Sequence, residues 1–564
     1  MDKESPSSQT EPFSGRGSIV MLKSTAASIM AATPTQDGEP GHRRVSRTRR
    51  AAIFLFLLLI QFVVHLDMTS VAVAVPDIAR DLNATRTEVF SMGTIYYLSA
   101  TIFQQPVAEI SHVVGRKPAF LLVLTFAAAG TVIAGTANSI AVLLAGRAFQ
   151  GFANAGSVLS AIILTDLVPI QDRAIWLATQ NAVTAIGLAC GPIIGTAYIR
   201  LKSWRMLFFM NLPLLVISAI GLAFLLGFDR PELGIRKSLK SVDWIGIGIF
   251  IPSALSFLSP FVMAPTLFPW ISVQALVPLA SGVIGLATLA VHQRFFARRP
   301  MFRPEIFSKH VTVSAILGLT VCGICLNILL FHLVLFWEGV RGCSKMETSV
   351  AVLPETVSIP IAALVCGLVM RRTNRIREAV SVGWPLAVLS LGLLWFMDDN
   401  TPLPWLVIVN CGVGLAAGIL MAALNVSLLA ATKRELNGHA IAMGLQARSA
   451  GMCLGIAIGT TVFSYTMNQR LRQVGGEMNS EEILRMIEEI KRDPNCRKAI
   501  IDALRVLWVI CCALSGIVGL YNCVCKFPLL RNPSAEGPGT ERVAANGPEK
   551  RANSSTVASQ DSKV

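Results

Sequence analysis

Long apolar runs, each interrupted by a short polar or basic segment, recur from residue 51 to residue 526. Runs such as Ala51 to Val64 and Ala119 to Ala134 approach or, with their flanks, exceed the roughly 20 residues that cross a bilayer as a helix. By that length the chain predicts about fourteen membrane spans: 51–77, 89–110, 118–137, 140–168, 174–199, 205–228, 243–264, 272–292, 312–337, 348–370, 379–397, 404–430, 438–466 and 500–526. The fold expected is an all-α polytopic membrane protein.

The layout contains an internal repeat. Span 5 carries Gly187, Gly191 and Gly195, and span 13 carries Gly451, Gly455 and Gly459. Glycines four apart make a smooth strip that lets another helix approach closely. If spans 7 and 8 are an insertion, these are the fifth helices of two six-helix halves. The connections after the second span of each half agree, Gly115-Arg116-Lys117 in one and Arg371-Arg372-Thr373-Asn374-Arg375 in the other. Paired halves of this kind place a substrate site between them near the membrane midplane. The expected division is an N-terminal half at 51–228, a linker with two inserted spans at 229–310, and a C-terminal half at 311–526.

Composition supports the membrane reading. Of 564 residues, 53% are hydrophobic and 15% charged, against about 25% charged in a soluble chain. The 49 Lys and Arg exceed the 34 Asp and Glu by 15, but they sit in short loops and the N-terminal arm, where the positive-inside rule expects them, so no nucleic-acid partner is implied. Residues 1–50, rich in Ser, Thr, Pro and Gly, read as a disordered cytoplasmic arm, and 527–564 as a similar tail. With no cleavage site before residue 51, the first span reads as an uncleaved anchor. An even span count puts both tails on one side, and the loops with Arg116 and Lys117, Arg236 and Lys237, Arg298 and Arg299, Arg371 and Arg372, and Lys433 and Arg434 make that side cytoplasmic. Arg200, Lys202 and Arg205 are an exception to the charge rule. On the outer side, Asn83-Ala84-Thr85 is a glycan acceptor or an unused chance match. The outer loop 468–497 includes a stretch, Asn479 to Arg492, with the spacing of a short amphipathic helix.

Ionisable groups inside spans are costly and so are functional candidates. Asp67, Arg147, Glu355 and Arg448 stand out as proton-coupling residues: a buried carboxylate can load a proton on one side and release it on the other, and a buried Arg can modulate it. The structural alternative is that Arg147 only ties helices through backbone carbonyls, that the helices of Asp67 and Arg448 are shifted by several residues and carry them toward a membrane interface, and that Glu355 bonds the turn broken by Pro354. Asp166 reads as an ion-pair or cap residue, and His65 and His332 as histidines satisfied by neighbouring backbone. Cys322 and Cys325 read as core, and Cys343 and Cys496, both in outer loops, as a candidate disulfide. The twelve cysteines do not form a disulfide scaffold. No phosphate-binding G-x-x-x-x-G-K-[ST] loop occurs, and the arginine ladder of a voltage sensor is missing. No cofactor or metal is expected, and gradient-driven transport remains.

These residues resemble the fourteen-span drug:proton antiporter branch of the major facilitator superfamily, common in fungi. Leu66-Asp67 with Val75-Pro76 is similar to the first-span motif. Pro106 to Pro118, with Gly115-Arg116-Lys117, is similar to the gating-loop motif. Arg147, Gln150 and Gly151 match the span 4 motif, and Gly187, Gly191-Pro192 and Gly195 the antiporter motif of span 5. Trp204-Arg205, Phe208, Asn211, Pro213, Asp243-Trp244, Arg341-Gly342 and Ser344 also match. The sequence departs where the loop motif holds its first Gly and its Asp, here Ala108 and His112; Glu109 or a neutral His112 is the expected partial substitute. The second Trp of the Trp-Arg-Trp pattern is Met206, and a usual Gln before span 10 is Glu338.

The resemblance implies a non-enzymatic, monomeric, proton-coupled exporter of drugs, toxins or secondary metabolites in the plasma membrane, or second the vacuolar membrane. Its partners would be the small-molecule substrate, protons and the lipid bilayer. Substrate contacts are expected from Gln104, Gln150, Asn154 and Asn181, and gating from Glu109, His112, Gly115, Arg116 and Lys117. The alternatives are a siderophore or amino-acid transporter of the same plan, or a nutrient sensor that no longer transports.

Overall fold

The structure is a computed structural model that describes residues 46–84, 86–168, 170–201, 203–227, 239–263, 268–473 and 494–525. A lipid-facing backbone must satisfy its own hydrogen bonds, which is why each apolar run closes into a helix. In chain order these are α1 (Arg47–Ser70), α2 (Arg86–Val114), α3 (Arg116–Gly135), α4 (Ile140–Leu167), α5 (Ile170–Leu201), α6 (Arg205–Leu225), α7 (Trp244–Met263), α8 (Val273–Phe296), α9 (His310–Val340), α10 (Met346–Thr373), α11 (Ile376–Phe396), α12 (Leu403–Ala431), α13 (Asn437–Gln473) and α14 (Pro494–Val524). Among the described residues thirteen helices are long and apolar enough to cross a membrane. The fourteenth expected span, 89–110, lies on α2, which is long enough but carries buried Thr94, Ser99, Thr101, Gln104, Gln105, Glu109 and Ser111. Its polarity marks a helix that faces protein rather than lipid.

Three expected boundaries shift. The arm expected at 1–50 ends earlier, because Ser46 caps α1, accepting a hydrogen bond from the Arg49 amide at 3.3 Å, and the helix begins at Arg47. The first span tightens into a 3-10 turn at Val71–Ala74 before a short helix, Val75–Asp81. The outer loop expected from 468 starts later, since α13 continues to Gln473. The amphipathic stretch 479–492 and nearly all of both tails lie outside the described residues.

Equivalent helix pairs build the two halves. α1 packs on α5 as α9 packs on α13, α2 on α4 as α10 on α12, and α3 on α4 as α11 on α12. Each half has its own apolar core, one around Phe54, Phe120 and Ile162, the other around Leu319, Trp384 and Trp508. The halves meet along two seams, α2 with α13 and α5 with α10, which exchange under the pseudo-twofold relation. The inserted pair α7 and α8 packs on itself and rests against α2 and α13 through Phe250, Leu258 and Cys453. Cys525, after α14, reaches the backbone of His310 at the start of α9. Both described chain ends therefore lie at one end of the bundle, called here the tail side.

The glycine strips account for the close approach at the fifth helices. A Cβ on Gly187 would meet the Phe62 carbonyl at 2.7 Å, and one on Gly195 the Ser70 carbonyl at 2.7 Å. In the other half, one on Gly455 would meet the Ile324 carbonyl at 2.7 Å. The same device thus seats α5 on α1 and α13 on α9. Pro192 lies within α5 beside Gly191, removing a backbone donor where the strip contacts Thr69 and Leu66.

Candidate functional site

Inside the N-terminal half, Arg147 of α4 is 1% exposed and donates from Nη1 to Asp67 Oδ2 of α1 at 2.6 Å. Gln150, one turn further along α4, accepts from the same Nη1 at 2.8 Å and donates to Asp67 Oδ1 at 3.4 Å and to Thr131 of α3 at 3.1 Å. Asn211 of α6 donates to Asp67 Oδ1 at 3.0 Å. The guanidinium lies over the rings of Tyr96 at 4.8 Å and Phe208 at 5.9 Å. Five helices, α1 to α4 and α6, thus converge on one carboxylate–guanidinium pair. A cavity of ≈ 20 Å³ lined by Asp67, Tyr96, Thr131, Gln150 and Asn211 adjoins it. That volume holds about one water. Breaking a buried pair by removing one partner costs about 3–5 kcal/mol, because the other charge stays buried.

This arrangement moves Gln150 away from the group in which the sequence placed it. It belongs to the ion-pair cluster within one half, whereas Gln104 of α2 faces the seam and donates to Ser449 of α13 at 3.0 Å. Asn154 belongs to a third group with Gln61 and Ser157: the Ser157 hydroxyl approaches Asn154 Oδ1 at 2.9 Å and Gln61 Oε1 at 3.1 Å. Gln180 of α5 donates to the Ser157 carbonyl at 3.4 Å. Asn181 is half-buried beside it. Glu355 is buried near the start of α10, with Oε2 lacking a hydrogen-bond partner, and Arg448 is half-buried on α13. Asp67 and Arg147 are therefore brought together, and Glu355 and Arg448 stand apart from them.

The tail-side ends of the seams are latched. Glu109, at the end of α2, meets His439 Nε2 of α13 at 3.0 Å, and His112 stacks on His439 with ring centroids 4.4 Å apart. Arg116 reaches His112 Nδ1 at 3.0 Å, Ser111 Oγ at 2.8 Å and Asp166 Oδ2 at 3.2 Å. Gly115 turns the chain from α2 into α3 at φ 106°, a conformation that side chains disfavour. Lys117 is buried in the first turn of α3. On the other seam Arg371 of α10 meets Asp172 of α5 at 2.9 Å. His439 was not singled out from the sequence; a histidine just after the glycine that opens a span was its only signal.

Other expected groups are placed as follows. Asp166 pairs with Arg116, and His65 and His332 each bond the carbonyl four residues back, at 2.8 and 2.9 Å. Cys322 and Cys325 lie in the apolar core of the C-terminal half. The candidate disulfide between Cys343 and Cys496 is not formed. Asn83 is exposed at φ 49° in the turn before α2.

Two pseudo-symmetric six-helix halves, joined by seams latched at one end and with a buried ion pair inside one of them, define a secondary transporter. The Major Facilitator Superfamily model matches residues 57–456, and the chain belongs to that superfamily. It is 31% identical over 509 residues to the MFS transporter L2 of a Phoma species, covering 88% of this chain and 84% of that one. It is 28% identical over 444 residues to the MFS efflux transporter aclA of Aspergillus oryzae, covering 78% and 80%. Among solved structures, a bacterial homologue of the human lysosomal transporter Spinster, inward-facing and occupied, superposes with a TM-score of 0.54 at 17% identity, covering 85% of this chain and 97% of that one.

Proposed function

We propose that this protein is a proton-coupled exporter of small, largely apolar organic molecules, working by alternating access in a fungal plasma membrane with the tail side cytoplasmic. The observation that carries this reading is the Asp67–Arg147 pair, 2.6 Å apart and sealed within one half. Protonating Asp67 removes the counter-charge of Arg147 and loosens the contacts through which α1, α4 and α6 are held. Deprotonation restores them. A transporter that must exchange a proton for cargo needs such a two-state element, and the cavity beside it has room for a single water next to Asp67. In the proposed cycle the tail side is latched while cargo leaves and a proton enters on the opposite side. Glu355, buried with an unpartnered oxygen, serves as a second proton-carrying group in the other half. Gln104, Asn154 and Asn181 offer cargo its polar contacts along the inner helices. The efflux name of the Aspergillus relative supports the direction of transport.

The test is efflux of a lipophilic fluorescent dye from energised vesicles, with and without a protonophore, for the wild type and Arg147→Ala. Protonophore and substitution should each abolish uphill efflux. Dye export that survives both unchanged overturns the coupling mechanism, and uphill accumulation in the opposite direction overturns export.

A further inference from the structure

Arg147 has its carboxylate; Arg448 does not. Arg448 lies roughly 16 Å along α13 from its tail-side end, close to the membrane midplane, where α9 approaches so tightly that Gly323 packs on the Arg448 carbonyl. Tyr97 of α2, His65 of α1 and Cys322 of α9 lie within its electrostatic reach. Among the described residues no Asp or Glu pairs with it. A lone intramembrane cation costs several kcal/mol unless something offsets it.

The groups around it are also unsatisfied. Tyr97 is 3% exposed and lies beside Asn327, which is 0% exposed. At full hydrogen-bond geometry neither the Tyr97 hydroxyl nor the Asn327 amide is satisfied. Gln104, two turns from Tyr97 on α2, uses its nitrogen on Ser449, the neighbour of Arg448, and leaves its oxygen unpaired. Buried polar groups are normally bonded, and each orphan costs about 1–3 kcal/mol. A cation with a buried phenol and a buried amide beside it, drawn from both halves near the midplane, matches one complementary chemistry: an anionic oxygen group on an otherwise apolar molecule.

We infer that Arg448, with Tyr97 and Asn327, forms the cargo-anchoring site and selects molecules carrying a carboxylate or an equivalent acidic oxygen group. Arg448 then supplies charge and a forked donor set, Tyr97 and Asn327 supply neutral donors, and the aliphatic faces of α1, α2, α9 and α13 cover the apolar body. Because the anchor draws on both halves, a bound anion bridges the seam and biases the halves toward closing around it. This assignment rests on the export reading above. It moves Arg448 from proton handling to cargo recognition.

The experiment uses the purified full-length chain in detergent, without any gradient. Binding of naphthoate, its methyl ester and naphthylmethylammonium is measured by tryptophan fluorescence and by thermal unfolding. Naphthoate should bind wild type at least about tenfold tighter than the ester, with the ammonium weaker still. Arg448→Gln should bring naphthoate affinity down to that of the ester, Arg448→Lys should keep part of the preference, and Tyr97→Phe and Asn327→Ala should each reduce naphthoate affinity by about fivefold. Equal binding of acid and ester to wild type, or a preference unaffected in Arg448→Gln, overturns the inference. If Arg448→Gln does not fold, an acid preference unchanged in both Tyr97→Phe and Asn327→Ala overturns it. Since no gradient is present, these results do not depend on proton coupling. Export insensitive to protonophore removes the coupling reading and leaves this one standing.

Discussion

Glu109 on α2 and His439 on α13 meet 3.0 Å apart across the seam between the two halves, at the position in the chain where the loop motif lost its usual Asp. The acidic group has moved three residues back, from 112 to 109. His112, which stands at the vacated position, stacks on His439, and Arg116 bonds both His112 and Asp166. The latch is thus rebuilt from a carboxylate, two imidazoles and a guanidinium.

Removing the carboxylate should therefore open the tail side. Glu109→Gln loses a charge-assisted contact worth about 1.5–3 kcal/mol, enough to shift the closed-to-open ratio by roughly ten- to a hundredfold. Labelling of single cysteines placed at the inner ends of α2 and α13 in vesicles should become correspondingly faster. Unchanged labelling would show that the Glu109–His439 contact does not hold the tail side shut.

The Asp67–Arg147 pair should behave as a unit. Arg147→Ala leaves Asp67 buried and should destabilise the detergent-purified protein by about 3–5 kcal/mol. A double variant, Asp67→Asn with Arg147→Gln, should recover most of that stability and none of the proton-driven efflux. Additive losses in thermal unfolding would contradict a coupled pair.

The glycine strip makes a steric prediction with an internal control. Gly191→Ala places a methyl group against the Leu66 carbonyl at 2.9 Å, next to Asp67, and should cost about 1–3 kcal/mol and slow transport. Gly93→Ala, on α2, meets nothing within 4 Å. It should be neutral or gain up to about 1 kcal/mol from helix propensity. Equal losses in the two would remove the close-approach argument.

At the side opposite the tails, Asp81 accepts from Arg205 Nη1 at 2.5 Å and Trp204 Nε1 at 3.0 Å. Those hydrogen bonds, that from Arg205 foremost, hold its carboxyl below the ordinary value of 3.8. A depressed carboxyl contributes stability that is complete above 3.8 and is lost as pH falls through its lower folded value, so acidification to about pH 5 should leave this contact intact. The pair is solvent-exposed, and Asp81→Asn should cost at most about 1 kcal/mol at low salt, fading at high salt. A salt-independent loss in thermal unfolding would place the pair in a drier setting than the structure gives it.

Much of the architecture was legible in the chain. Apolar runs of membrane length fix where helices form, because lipid offers the backbone no other way to satisfy itself. Glycines every four residues in spans 5 and 13 disclosed the pseudo-symmetry, since a strip of small residues is useful only against a partner helix. The functional residues were visible as types: Asp67 and Arg147 stood out by the cost of charge in lipid. Their surroundings were not. Gln150 and Asn154, four apart on α4, share a face but sit one turn, about 6 Å, apart along it, so they fall into different polar groups once α1 and α3 take their places.

The sequence by itself determined that this chain spans a membrane repeatedly, as two related halves with rare charges inside, because length, apolarity and spacing are local properties written along the chain. Only the tertiary structure decided which charge has a partner. Arg147 meets Asp67 because α4 and α1 belong to the same half, while Arg448 faces the seam between the halves, and pairing across tens or hundreds of residues depends on packing that no local pattern encodes.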